Sequence, residues 1–128
     1  MDVILDTHTL LWWLLDHSSL TLAARKVITP GAHRVFVSAA TAWEIATKVR
    51  LGKLSIAQDL ASNFPVHCKR ERFQLLDIST EHALRAGSLP GPHRDPFDRM
   101  LIAQAQASNR AIVSKDKIFD DYKIERIW

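Results

Sequence analysis

Residues 1–16 read MDVILDTHTLLWWLLD. Val3-Ile4-Leu5 is a short, continuously apolar run, the pattern of a strand buried on both faces. Asp6 ends it, and from Thr9 to Leu15 a second apolar stretch follows that is poor in β-branched residues and reads as a buried helix. A buried strand that passes directly into a helix is the start of a βαβ unit. Asp suits neither interior, so Asp6 at the junction needs a separate reason.

The rest of the chain repeats the alternation. Thr21 to Ile28 reads as a second helix, closed by Pro30-Gly31. Val35-Phe36-Val37 is another apolar strand, and "SAATAWEIATKVRL" (38–51) a helix stopped by Gly52. Ser55 to Arg72 is expected to hold one or two short helices interrupted near Pro65. Phe73 to Ile78 reads as a third strand, and Thr80 to Ala86 as a helix ending at Gly87. "SLPGPHRDP" is an irregular loop by its Pro and Gly content. Pro96 to Ser108 is a helix, Ala111 to Val113 a strand, and a closing strand is expected near Lys123 to Ile127. Strands alternating with helices predict an α/β fold whose mostly parallel sheet is covered on both faces. Right-handed crossovers put the C-terminal ends of the strands on one edge. No repeat, low-complexity tract or linker interrupts the pattern, so residues 1–128 are expected to form one domain.

The totals are those of an ordinary globular protein: 47% hydrophobic and 24% charged residues in a chain of 128, enough to bury a real core. The net charge of +3 and a pI near 9.3 are compatible with a polyanionic partner without demanding one. Cys68 is the only cysteine, which excludes an internal disulfide and favours a reducing compartment. Asp2 stands where a signal peptide wants positive charge, and no stretch is long and apolar enough for a membrane span. The cytoplasm is the expected location.

Asp6 is one of several acids at element junctions. Glu44 is expected in the first turn of the helix after the second strand. Asp95 and Asp98 begin the long helix, and Asp116 follows the strand 111–113. Each has a local explanation. Asp6 or Thr7 can cap the first helix, and Thr41 to Glu44 has the spacing of a capping box. Asp95 before Pro96 is an N-cap followed by proline at the first helical position. Asp98 complements the helix dipole, and Asp116 can shape a turn after Ser114. Caps, however, need not converge. Ligands of open α/β sheets bind outside the carboxyl ends of the strands, and carboxylates gathered there repel one another. A hard divalent cation such as Mg²⁺ or Mn²⁺ takes oxygen ligands from a few carboxylates and relieves that repulsion.

Four segments, "ILDTHTLLWWLLD", "VSAATAWEIATKVRLGKL", "HRDPFDRMLIAQA" and "IVSKD", together resemble the PIN-domain ribonucleases, in particular the VapC-type toxins of bacterial toxin–antitoxin pairs. The likeness runs over nearly the whole chain, and "HRDPFDRMLIAQA" is its most specific part. The resemblance implies a Rossmann-like three-layer α/β/α sandwich and a Mg²⁺- or Mn²⁺-dependent endoribonuclease. It carries Asp6, Glu44, Asp98 and Asp116 over as catalytic metal ligands, direct or through water. Thr7 and Ser114 match hydroxyl positions that orient neighbouring carboxylates, and Asp95 is either a further member of that supporting set or a cap. A metal-activated water would then attack phosphorus in line, expelling the 3′ oxygen and leaving a 5′ phosphate. The resemblance also implies two protein partners: a second copy of the chain, and an antitoxin whose C-terminal segment occupies a hydrophobic groove.

Basic residues near the same edge include Lys48, Arg50, Lys53, Arg94, Arg99 and Lys115. Of these Arg94, Arg99, Lys48 and Lys115 are the candidate RNA-phosphate contacts; a solvated surface is the alternative, and Arg99 can equally pair with an acid. The six histidines are scattered and form no zinc pair with Cys68. His8 and His93 lie beside the expected cleft, although solvated or core-satisfied roles are expected of all six. Trp12, Trp43 and Trp128 are expected in the core. Trp12 and Trp13 diverge by about 100° on one helix, which points to a partner surface. Two other functions are compatible with parts of the pattern. One is Mg²⁺-dependent phosphotransfer or a receiver-like domain, which Lys115 favours; a dehalogenase-type phosphatase would want an acid where His8 stands. The other is a non-catalytic binding module working through the Trp-rich helix.

Overall fold

The structure, a computed structural model, describes residues 1–128 apart from the side chain of Ile56. Five strands, β1 (Asp2–Leu5), β2 (Arg34–Ser38), β3 (Gln74–Leu76), β4 (Ala111–Val113) and β5 (Arg126–Ile127), form one sheet in the order β3-β2-β1-β4-β5. Every pairing is parallel, including that of the closing strand.

Alternation along the strands divides the interior into two layers. Val3 and Leu5, Val35 and Val37, and Ala111 and Val113 face one side with Leu10, Ala24, Ile28, Ile45, Phe64 and Phe73. Ile4, Phe36 and Ile112 face the other with Leu101, Ile102, Ala105 and Phe119. Because successive side chains point to opposite faces, a fully apolar triplet such as Val3-Ile4-Leu5 requires cover on both. Helices α1 (Thr7–Leu14), α2 (Leu22–Ile28) and α5 (Phe64–Arg70) supply it on the first side, and α7 (Pro96–Ser108) on the second. Each fully buried Val, Leu or Ile contributes about 1.5–3 kcal/mol relative to exposure, so both faces hold the sheet.

The order of strand addition reverses about β1: β2 and β3 are laid down on one side of it and β4 and β5 on the other. The crevice between the carboxyl ends of β1 and β4 is therefore the switch point of the sheet. Asp6 and Ser114 follow those two ends directly.

Several boundaries differ from the sequence expectation. Helix α3 (Ala39–Arg50) is capped by Ser38, whose hydroxyl accepts from the Ala40 amide at 3.0 Å. Thr41 is thus not a cap, and Glu44 sits in the second turn. Helix α6 (Thr80–Ser88) runs through Gly87 and stops at Leu89, which adopts ψ 125°. A residue that precedes a proline, here Pro90, is driven out of the helical region. Between α3 and β3 the break falls at Asn63, between α4 (Gln58–Ser62) and α5. Pro65 lies in the first turn of α5, where a missing amide is harmless. A 3-10 segment at Lys117–Tyr122, capped by Asp116, was not expected. Among the described residues no helix is long and apolar enough to cross a membrane.

Candidate active site

Asp6 leaves β1 in extended conformation and caps α1, its Oδ1 accepting from the Thr9 amide at 2.8 Å. Its other oxygen, Oδ2, accepts a hydrogen bond from the Ser114 hydroxyl. The same hydroxyl oxygen accepts from the Asp116 amide at 3.0 Å, and the Asp116 carboxylate caps the 3-10 segment through the Ile118 amide, also at 3.0 Å. Thr9 fastens α1 to the end of β4 by donating its hydroxyl to the Val113 carbonyl at 2.8 Å. Asp6 is 7% exposed. Burial pushes its carboxyl above the usual range, against the opposing pull of Ser114 and Thr9.

Glu44 faces the sheet edge from α3 and is buried as well. Its Oε1 accepts from the Thr7 hydroxyl at 2.6 Å, and its Oε2 pairs with the Lys48 ammonium one turn further along the helix. Thr7 follows Asp6 in the chain, so one tight junction orients both buried acids.

Asp98 lies in the first turn of α7. Asp95 caps that helix, its Oδ1 accepting from the amides of Phe97 and Asp98 at 2.9 and 3.1 Å. The carboxylate of Asp98 meets Nε2 of His93 at 2.9 Å. Burial raises its pKa to about 6; the charges of Asp95 and Glu44 add to the rise, and His93 opposes it. The charge of Glu44 on α3 is the smallest of the contributions that raise Asp98 on α7.

The expected acids thus line one edge, but each is engaged separately: Asp6 by Ser114 and Thr9, Glu44 by Thr7 and Lys48, Asp98 by His93, Asp116 by its cap. Among the described residues no three His, Cys, Asp or Glu side chains are grouped so as to hold a metal ion as they stand. The donor set nonetheless suits a hard cation: all four are carboxylates, and two of them carry raised pKa values because burial penalises charge that lacks full compensation.

The basic residues divide. Arg94 and Lys115 are exposed beside the acidic edge. Arg99 is not available for phosphate, nor does it pair with an acid. Its guanidinium donates to the carbonyls of Ala86, Leu89 and His93 and ties the end of α6 and the following loop to α7. Lys48 belongs to Glu44. The i, i+4 spacing of Glu44 and Lys48 was a visible signal for that pair, whereas the approach of His93 to Asp98 depends on the loop's path and had none.

Trp43 is exposed rather than in the core, packed edge-on against Phe97 at 4.8 Å between ring centres. Trp12 stacks on His17 and meets His8 and Trp128 at tilted angles, and Trp13 donates its Nε1–H to Glu71 at 3.0 Å. The open surface of α1 is instead its leucine side: Leu11, Leu14 and Leu15 line a groove of about 390 Å³ with Leu60 and His67. Cys68 is buried, which pushes its thiol up to about 11.

A five-stranded parallel sheet of this order, with buried acids at its switch point, defines an α/β protein with an acidic site at the carboxyl ends of its strands. The family model described as "PIN domain" matches residues 3–125. The chain belongs to the PIN domain family. It is 28% identical over 130 residues to Ribonuclease VapC22 of Mycobacterium tuberculosis, covering 98% of each chain. VapBC2 of Rickettsia felis, solved bound to a DNA fragment from its promoter, matches with a TM-score of 0.70 and 16% identity over 100% of both chains. VapC20 of Mycobacterium tuberculosis, described as a sarcin–ricin loop cleaving toxin, matches with a TM-score of 0.67 and 12% identity over 95% of each chain.

Proposed function

We propose that this chain is the toxin of a toxin–antitoxin pair, and that residues 1–128 act as one divalent-metal-dependent endoribonuclease domain. The observation that carries the reading is Asp6: a buried carboxylate at the switch point, held on one oxygen by a helix amide and on the other by Ser114. The relative named a ribonuclease and the structural neighbours solved as toxin–antitoxin assemblies support it.

Asp6, Glu44, Asp98 and Asp116 would hold Mg²⁺ or Mn²⁺, directly or through water, which supplies a more acidic water and charge stabilisation at the phosphoryl oxygens. The chain's own residues do the positioning. Ser114 and the Thr9 amide fix the Asp6 carboxylate, Thr7 fixes Glu44, and Asp95 fixes the first turn from which Asp98 projects. Orientation of ligands by such hydrogen bonds is commonly worth 10- to 100-fold in metal affinity or activity. Arg94 and Lys115, both exposed, would contact RNA phosphates, which sets register without reading sequence.

The partner is a cognate antitoxin, and the leucine groove of α1 offers it an apolar seat; a second copy of the chain is the other partner. The cytoplasm, where RNA and antitoxin meet the toxin, is the compartment this reading requires.

The test is purification free of antitoxin, followed by incubation with total RNA in Mg²⁺ or in excess chelator. Cleavage in Mg²⁺ alone, leaving 5′ phosphates, is expected. Asp6→Asn and Asp98→Asn should each lower cutting at least about 100-fold and relieve growth arrest on expression. Toxicity that survives both substitutions would overturn the assignment.

A further inference from the structure

The acids of the site are balanced by different means, and Glu44 is the one with a full positive charge from its own helix. Its carboxylate is buried, with the side chain 7% exposed, while the Lys48 side chain is 36% exposed. Both carboxylate oxygens are occupied, Oε1 by the Thr7 hydroxyl at 2.6 Å and Oε2 by the ammonium. Facing this pair are the Thr41 hydroxyl, 3.4 Å from that of Thr7, and the negative charge of Asp98. A buried carboxylate without a partner is strongly destabilising, and a second acid nearby deepens the penalty.

We infer that Lys48 is a built-in counter-cation that occupies Glu44 when no divalent ion is bound, and competes with that ion for the carboxylate. The inference rests on the metal-site reading above and deepens it. Lys48 does two things at once. It lets the acidic edge fold without metal, and it weakens metal binding by the work of drawing the ammonium off Oε2. Lysine suits this exchange: its flexible stem and single point charge, a third of it already in solvent, allow the head to swing outward without disturbing α3. A fixed bidentate arginine would leave less readily.

The experiment uses the whole chain freed of antitoxin, with Mn²⁺ as the probe. Mn²⁺ binding is followed by calorimetry or by loss of the free-ion paramagnetic signal, and thermal unfolding is recorded in chelator and in Mn²⁺. Lys48→Met retains most of the aliphatic stem and removes the charge. It should bind Mn²⁺ roughly fivefold more tightly, equivalent to about 1 kcal/mol. In chelator it should melt lower than wild type, and its gain in melting temperature on adding Mn²⁺ should exceed the wild-type gain. Lys48→Arg restores the counter-charge and should recover the metal-free melting temperature. An unchanged or weakened Mn²⁺ affinity in Lys48→Met, or a melting temperature in chelator equal to that of wild type, overturns the inference alone. If wild type itself binds no Mn²⁺, the metal-site reading fails, and with it this inference.

Discussion

Asp98 offers the sharpest quantitative test of the site's electrostatics. Its carboxyl is raised from 3.8 to about 6, chiefly by burial and next by the fields of Asp95 and Glu44 against the pull of His93. At about 1.4 kcal/mol per pKa unit, holding Asp98 ionised in the metal-free fold costs about 3 kcal/mol. The side chain is 23% exposed, so solvent screens part of this, and about 2 kcal/mol is the expected penalty. The sign follows from linkage: a folded-state pKa above the unfolded value means that the fold prefers the proton. The stability lent by protonated Asp98 is complete below about pH 3.8 and is lost as pH rises through about 6.

Asp98→Asn removes the titration while keeping an oxygen that can accept from His93. In chelator at pH 7.5 the variant should be more stable than wild type by about 2 kcal/mol. For 128 residues, at about 2.1 cal/mol/K per residue, that is a rise of about 7 °C in melting temperature. The advantage should shrink through pH 6 and vanish near pH 4. Urea unfolding and thermal melts at pH 7.5, 6 and 4.5 measure it. A variant no more stable than wild type at pH 7.5, or one whose advantage persists undiminished at pH 4.5, would refute the argument that buried, uncompensated charge resides at Asp98.

Two further substitutions separate orientation from scaffolding. Ser114→Ala removes the hydroxyl that donates to Asp6 and accepts from the Asp116 amide. Mn²⁺ affinity and RNA cleavage should fall about 10- to 100-fold for a stability loss of only about 1–2 kcal/mol; unchanged affinity would show that Asp6 needs no such anchor. Arg99→Met keeps the stem but loses the bonds to the carbonyls of Ala86, Leu89 and His93. It should destabilise the chain by about 2–4 kcal/mol and leave the salt dependence of RNA binding as it was. A salt slope reduced by about one charge, with stability intact, would return Arg99 to the RNA surface.

The three-layer arrangement was legible because the strands are apolar on both faces. Val3-Ile4-Leu5, Val35-Phe36-Val37 and Ala111-Ile112-Val113 can only be central strands of a covered sheet, and that is where they lie. The edge strand β3 was also found, although two of its three residues are exposed. What failed were the features decided by tertiary competition. Thr41 and Glu44 have capping-box spacing, yet Ser38 takes the cap because β2 runs without a gap into α3. That frees Thr41 and Glu44 to turn inward toward Thr7. Gly87 looked like a helix stop, but Pro90 sets the end. Arg99 looked like a phosphate ligand because charge and position were visible in the sequence while the three carbonyls awaiting it were not.

The same ambiguity runs through the acids, since a cap and a metal ligand are written with the same letters. Burial separates them where it is extreme. A surface N-cap contributes about 1 kcal/mol, and Asp116, exposed over the 3-10 segment, makes such a cap whether or not it also meets an ion. Asp6 caps α1 as well, but from a position that is 7% exposed, with a raised pKa despite two hydrogen bonds. Desolvating a carboxylate costs several kcal/mol, more than a cap returns. Asn or Ser in its place would cap the helix without that penalty. Among sequences selected for stability alone, Asp6 would be a poor choice. Its place at the switch point, beside a second buried acid on α3, is the pattern of a site where stability has been given up for buried charge.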